Sequence, residues 1–440
     1  MVWLQLLVVL AAIFLGARLG GIGIGFAAGL GVVGLALLGA PVTTAAIPWD
    51  VVTIIMSVIA AIATMQVAGG MDYLVSLAEK VLRSNPRMLS LLAPLVTYTM
   101  TLMAGTGHTA FSTMPVIVEV AKETNLRPRR PLSVAVVASQ IAITASPISA
   151  AVVFFASEMS KKGVDYVQLL SVVIPSTLLA VILGSLTMMA IDKARGVEAL
   201  DADPVYQQRL ADGLVKPPTG VTQHTFRPGA KLSVLVFLIG LLAVMFYATA
   251  ISETVKLIPN PPMDRNSAII AIMLSVAAVI TMACRIPLGE VTGASTFRAG
   301  MSASICVLGV AWLGTTFVNA HSKEIQQLAG DTLKTQPWLL AVVLFFAACL
   351  LYSQAATTKA IMPIALALGV APVSAVASFA AVSALFVLPT YPTLLAAVEM
   401  DDTGTTRIGK YVFNHPFLVP GVIFITYAVL LGFLFGSFIL

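Results

Sequence analysis

Polar, proline-broken stretches interrupt this chain at matching places in its two halves, inside runs that carry almost no charge. The first set reads Thr106-Gly107-His108-Thr109 up to Met114-Pro115, followed by Thr144-Ala145-Ser146-Pro147. The second reads Gln354-Ala355-Ala356-Thr357-Thr358 up to Met362-Pro363, followed by Pro389-Thr390-Tyr391-Pro392-Thr393. From the Met-Pro proline to the later proline is 32 residues in the first set (115 to 147) and 29 in the second (363 to 392). Only 10% of the 440 residues are charged, against about a quarter in soluble domains, so the chain is a membrane protein. In hydrocarbon, helix-breaking polar backbone survives only where protein or a water-filled cavity surrounds it. A chain of this kind is confined to a helical bundle that encloses its own breaks.

The apolar runs predict an all-α polytopic membrane protein of two similar halves, residues 1–191 and 231–440, joined by a cytoplasmic linker over 192–230. In the first half, spans are expected near 2–17, 20–40, 48–69 and 168–191. A hairpin near 88–121 is apolar at both ends and polar at its tip, and a span near 131–157 is broken at Ser146-Pro147. The second half repeats the order: spans near 231–251, 266–284, 298–318 and 415–439, a hairpin near 337–370, and a broken span near 372–398. The glycines Gly20, Gly21, Gly23 and Gly25 open a span and do not follow a strand, which favours close helix packing over a nucleotide loop.

If each hairpin re-enters and leaves by one face, each half crosses the membrane five times. An odd count inverts the second half, giving two inverted repeats, each with a re-entrant hairpin and a broken helix. With the N-terminus outside, 18 of the 25 basic residues fall on the cytoplasmic side. Six fall on the other (Lys161, Lys162, Lys256, Arg265, Lys323 and Lys334), and Lys359 stays in the membrane. That bias fits the crossing count and places both termini in the periplasm.

Breaks at mid-membrane leave backbone donors and acceptors free, and helix N-termini carry roughly half a positive charge. Four such breaks meeting would suit a small anion. Thr106, Gly107, His108, Thr109, Thr144, Ser146, Pro147, Gln354, Thr357, Thr358, Thr390, Tyr391, Pro392 and Thr393 are the candidate binding residues, with Ser112 and Ser353 in the wider hydroxyl set. Hydroxyls and amides recognise carboxylates without burying charge. Lys359 either balances a substrate carboxylate or snorkels to water, and His108 either meets substrate or a proton or is structural. Of the carboxylates near span ends (Asp50, Asp72, Glu119, Glu399), Glu119 is the candidate for proton coupling. Cys284, Cys306 and Cys349 read as packing residues, and no metal or cofactor is expected. No nucleic-acid module, catalytic motif or cleaved signal peptide is evident, so the chain is not expected to be an enzyme.

At these residues the sequence resembles the anaerobic C4-dicarboxylate transporter (Dcu) family, in its A-type branch. The likeness is carried by Gln66-Val67-Ala68-Gly69-Gly70, Ala104-Gly105-Thr106-Gly107, Ile143-Thr144-Ala145-Ser146-Pro147, Tyr352-Ser353-Gln354-Ala355-Ala356-Thr357 and Asp401-Asp402-Thr403-Gly404-Thr405-Thr406. It implies a bacterial inner-membrane carrier of aspartate, fumarate, malate and succinate. The carrier would work by exchange, fumarate or aspartate in against succinate out, or by proton-coupled uptake. The halves are also similar to the wider ion-transporter superfamily, whose Ser-Asn-Thr hairpin tips bind carboxylates and sodium. Here the tips lack Ser-Asn-Thr, which speaks against sodium coordination. A passive anion channel and a sodium-coupled symporter are the alternatives. The lipid bilayer and small dicarboxylates are the expected partners, and a homo-oligomer is left open.

Overall fold

Long uncharged runs leave the backbone no partner but itself, so the chain folds as helices. The computed structural model describes residues 1–19, 22–47, 49–196, 199–215, 226–251, 257–351, 353–388, 391–410 and 413–440. No strand occurs among the described residues. Gly20, Gly21, Tyr352, Pro389 and Thr390 lie outside them, as do the side chains of Asp50 and His108.

The first half opens with α1 (Val2–Leu19), α2 (Gly23–Leu37) and α3 (Trp49–Val67). At Gly69 (φ +85°) the chain bends by 73° into α4 (Gly70–Ser84). Its composition is that of a polar connection, yet the segment is an amphipathic helix. Leu74, Ala78 and Leu82 recur every four residues and are buried, while Asp72 and Lys80 face outward. α5 (Leu89–Ala104) and α6 (Ala110–Glu123) form the first hairpin. Both limbs pack on α4, and Arg83 at its end bonds Glu123 at the end of α6 at 2.5 Å, so the hairpin starts and finishes at one face. The broken helix comprises α7 (Arg129–Ala142) and α8 (Ala150–Ser160), followed by α9 (Tyr166–Ala194).

The polar connection over 192–230 is helical in part among its described residues. It contains α10 (Pro204–Ala211), capped by Asp203, which pairs with Arg127 at 3.2 Å. Beyond it come α11 (Ala230–Ala250), α12 (Arg265–Cys284), the short α13 (Leu288–Gly293) and α14 (Ser295–Thr335). The third span of this half ends at His321, close to the expected end, and a further helical stretch follows it. α14 runs on past a kink at His321 (φ −128°, ψ 21°), a residue that hydropathy places at a span end. α15 (Leu339–Leu351) and α16 (Gln354–Ala367) form the second hairpin. α17 (Pro372–Ser378) tightens into 3₁₀ turns over Phe379–Phe386, and α18 (Pro392–Met400) and α19 (Leu418–Ile439) end the chain.

The chain thus carries apolar helices, two hairpins and two broken helices. Among the described residues six helices are long and apolar enough to cross a membrane alone, and α3 with the bent α4 makes a seventh. One core joins the first hairpin, both broken helices, α9 and α19, with Tyr98, Phe155, Phe379 and Phe424 buried in it. A second joins α3, α4, α11 and α12, and a third joins α1, α2 and α14. Small residues bring α2 and α14 together, as the glycine-rich start of the second span leads one to expect. A Cβ on Gly309 would stand 2.2 Å from the Gly25 carbonyl oxygen.

Candidate functional site

Each break starts a new helix, and the new helices start at one place. Gly105, Thr106 and Gly107 precede α6, Ile143 precedes α8, and Tyr391 caps α18. With Ala150 and Ala151 of α8 and Ser353, Gln354 and Ala355 of α16, they line one cavity of about 140 Å³. Residues at or just before four helix N-termini thus line a space of small-molecule size, where the positive ends of the helices favour an anion. Gly105 makes the turn with φ +66°, and a Cβ there would come within 3.2 Å of the Ile148 carbonyl oxygen, so the tip has no room for a larger residue.

A larger cavity of about 540 Å³ adjoins it and shares Gly105, Thr106 and Ala150. Its other walls come from α3 (Ile55 to Ile62), the first turn of α6 (Phe111 and Ser112), and Thr296 and Gly300 of α14. No charged side chain lines either cavity among the described residues. Any anion held here meets backbone donors, hydroxyls and an amide.

The breaks are tied together by a residue outside the candidate set. Gln140, in the last turn of α7, is fully buried. A helix that continued would give its carbonyl the N–H of Thr144, but the break sends that N–H to Ile141 at 3.0 Å. The freed Gln140 carbonyl accepts instead from Ser383 Oγ (3.2 Å) and Gln354 Nε2 (3.3 Å). Its side chain accepts from Gln354 Nε2 (3.0 Å) and donates to Thr393 Oγ1 (2.9 Å). One amide thereby joins the first broken helix to the second hairpin tip and to the second broken helix. A signal for it exists in the sequence: Ser139-Gln140 is the polar pair in an otherwise apolar stretch of α7.

Thr106, Gly107, Gln354 and Tyr391 are the candidate residues that reach the shared cavity, and Pro392 opens α18 beside it. Thr393 is joined to the lining Gln354 through Gln140. Thr109 holds Thr101 at 2.8 Å, and Ser146 donates to the Leu102 carbonyl at 2.7 Å, so both fasten the tip and the break to α5. The Pro147 carbonyl accepts the Tyr166 hydroxyl. Thr144, Thr357 and Thr358 donate to carbonyls of their own helices, Ile141, Ser353 and Gln354. Thr390 lies outside the described residues, and so does the side chain of His108. Glu119 pairs with Lys122 at 3.0 Å, toward the end of the first hairpin and away from the cavity.

Lys359 does not snorkel, being 1% exposed. It follows the cavity-lining Ala355 by one helical turn, and Phe154 follows Ala150 by the same step. Its Nζ stands 5.9 Å from the centre of the Phe154 ring. The lysine therefore lies one layer, about 6 Å, behind the cavity wall, with no ion pair to a described residue.

Comparison with known proteins accounts for the whole chain. The family model described as "Anaerobic c4-dicarboxylate membrane transporter" matches residues 1–440. The C4-dicarboxylate transporter DcuA of Wolinella succinogenes is 60% identical over 436 residues, 99% of each chain. DcuA of Escherichia coli K12 is 57% identical over 440 residues, the full length of both. The anaerobic C4-dicarboxylate transporter DcuB of Escherichia coli O6:H1 is 35% identical over 99% of this chain and 98% of its own. Among solved structures, the YdaH transporter of Alcanivorax borkumensis, described as having an unusual topology, shares the fold. Its TM-score is 0.56 at 13% identity, covering 86% of this chain and 84% of that one. By sequence along its full length, the chain belongs to the anaerobic C4-dicarboxylate membrane transporter family.

Proposed function

We propose that the protein is a secondary active carrier of C4-dicarboxylates such as aspartate, fumarate, malate and succinate. It exchanges one for another across the bacterial inner membrane or takes them up with protons. The observation that carries this reading is one cavity lined by residues of both hairpin tips and both breaks. A dianion must shed water to enter, and fixed backbone donors replace that water without a buried countercharge in contact. The names of the full-length relatives support the substrate class.

In this reading the halves are inverted repeats of five crossings each, with both termini periplasmic. The larger cavity then extends from the first tip toward the cytoplasmic ends of α3 and α14, as expected of an inward-facing state. Alternating access moves the body built from the hairpins and broken helices against α1–α3, α11, α12 and α14. In proteoliposomes loaded with succinate, labelled fumarate or aspartate is expected to enter several times faster than into empty vesicles, and to saturate. Uptake indifferent to internal succinate rejects exchange; non-saturating flux without counterflow points to a channel. Imposed proton and sodium gradients, applied separately, identify the coupling ion.

Lys359 supplies positive potential from behind the cavity wall in this mechanism. At about 8 Å and an effective dielectric constant near 20, one charge pair is worth about 2 kcal/mol. Lys359→Met keeps the volume and is expected to raise KM for succinate about tenfold or more while the folded yield is kept. Wild-type kinetics would leave the lysine as packing.

A further inference from the structure

Two cavities lie away from the transport site, on the seam between α9 and the pair α11 and α12. This seam separates the core that holds the hairpins and broken helices from the core of α3, α4, α11 and α12. The first cavity, about 370 Å³, runs along Val167, Leu170, Ile174 and Pro175 of α9 and meets Met245 and Thr249 of α11. The second, about 410 Å³, is polar and is walled by Asp165, Asp264, Arg265 and Asn266. Both include Tyr166, so the apolar cavity begins where the polar one ends.

The polar cavity carries charge of both signs. Arg265 lies over the Tyr166 ring at 5.4 Å and makes no ion pair with a described residue; its hydrogen bonds go to the Asn266 side chain at 3.4 Å. Asp165 caps α9 by accepting from Gln168 N at 2.8 Å, and Asp264 caps α12 by accepting from Ser267 N at 2.9 Å. The backbone and hydroxyl donors of Ser267 hold the Asp264 carboxyl below the usual carboxylate range, so it stays ionised. One guanidinium and two carboxylates on the wall of one cavity do not suit a purely anionic ligand. It matches a group that carries a phosphate and an ammonium together, and the adjoining apolar channel matches a hydrocarbon tail.

We propose that these paired cavities bind one phospholipid with a zwitterionic, primary-amine headgroup. Arg265 takes the phosphate, Asp165 and Asp264 take the ammonium, and the channel beside Leu170, Ile174 and Met245 takes an acyl chain. Tyr166 gives the site its reach: its ring floors the headgroup cavity and its hydroxyl bonds the Pro147 carbonyl in the first break. A lipid seated here would rest on the residue that fixes one wall of the transport site.

The test is lipid retention by the purified full-length protein. Delipidated protein is offered vesicles of phosphatidylethanolamine, phosphatidylcholine or phosphatidylglycerol, and bound lipid is counted by native mass spectrometry. Phosphatidylethanolamine is expected to be retained best, and phosphatidylglycerol least. Arg265→Gln is expected to lower retention about tenfold, the loss of one charge-assisted contact. Met245→Trp, which fills the channel and leaves the headgroup residues intact, is expected to lower it as well, with both variants eluting as folded protein. A separate arm uses inorganic phosphate alone; if it displaces the lipid, the cavity is a phosphate site and the proposal fails. Equal retention of all three lipids, or retention unchanged in both variants, also overturns it.

Discussion

Gln140→Leu is expected to lower dicarboxylate uptake by about two orders of magnitude in protein that still folds. Leucine fills the same space, so the core around α7 keeps its volume. What is lost is the amide that accepts from Gln354 Nε2 and donates to Thr393 Oγ1. Both partners are buried, at 5% and 1% exposure, and water cannot replace the bond. A buried polar group that loses its partner costs about 1–3 kcal/mol; Thr393 Oγ1 loses this donor and Gln354 Nε2 keeps only its bond to the residue-140 carbonyl, which loosens α16 and α18 from a common anchor. The two tips and breaks that line the cavity then lose a shared anchor, so at the proposed site the loss is expected to fall on substrate binding more than on folding. Gln140→Glu adds a distinct signature. It cannot donate to Thr393, and it places a carboxylate beside the proposed dicarboxylate site, so KM is expected to rise further than in the leucine variant. Initial rates in proteoliposomes, normalised to protein that elutes as one species, decide the matter. Wild-type kinetics in Gln140→Leu would remove the residue from the site.

How much of the fold is readable from sequence follows from which signals are local. Spans read from charge-free runs, such as 231–251 and 266–284, fall within a residue or two of α11 and α12 because hydropathy alone fixes them. The two hairpins and two broken helices are legible for a second reason. Proline and glycine beside hydroxyls cannot continue a helix in lipid, so Gly105, Pro147, Ser353 and Pro392 mark the breaks directly. α4 escapes such a reading because Asp72, Glu79, Lys80 and Arg83 make it too charged for a span; its four-residue apolar spacing shows only when periodicity is counted instead of mean polarity.

The site is half legible. Sequence identifies which segments are broken, but not which freed backbone groups pair across the halves. Thr144 and Thr357 carry the same hydroxyl as Thr106, yet theirs bond to carbonyls in their own helices, and Thr106 alone of the three reaches the cavity. That distinction depends on where each residue lies relative to the first free N–H of its helix. Gln140 escapes notice because no helix breaker adjoins it. Its importance arises 214 residues away, where Gln354 needs an acceptor.

Gly309→Val is expected to leave little folded protein, the largest effect on stability that the fold predicts. In hydrocarbon, helices associate by close packing and not by expulsion of water, so nothing compensates when two backbones that meet are forced apart. A Cβ on Gly309 would stand 2.2 Å from the Gly25 carbonyl oxygen, and one on Gly25 would stand 2.5 Å from that of Ile305. The obstructing atoms are backbone, so no rotamer change relieves the overlap. α2 and α14 would have to move apart, opening the core that holds Leu35, Val310 and Leu313. Overpacking alone costs about 1–3 kcal/mol, and separating the two helices forfeits dispersion attraction along the length of both. Gly29 supplies the control. It lies on the same α2, but a Cβ there meets nothing within 4 Å. Gly29→Ala should therefore keep the wild-type melting temperature or exceed it slightly, since alanine favours a helix over glycine by about 1 kcal/mol. Detergent-solubilised yield and thermal melts of the two variants measure the contrast. Equal behaviour would mean that the α2–α14 approach is not as tight as the backbone geometry requires.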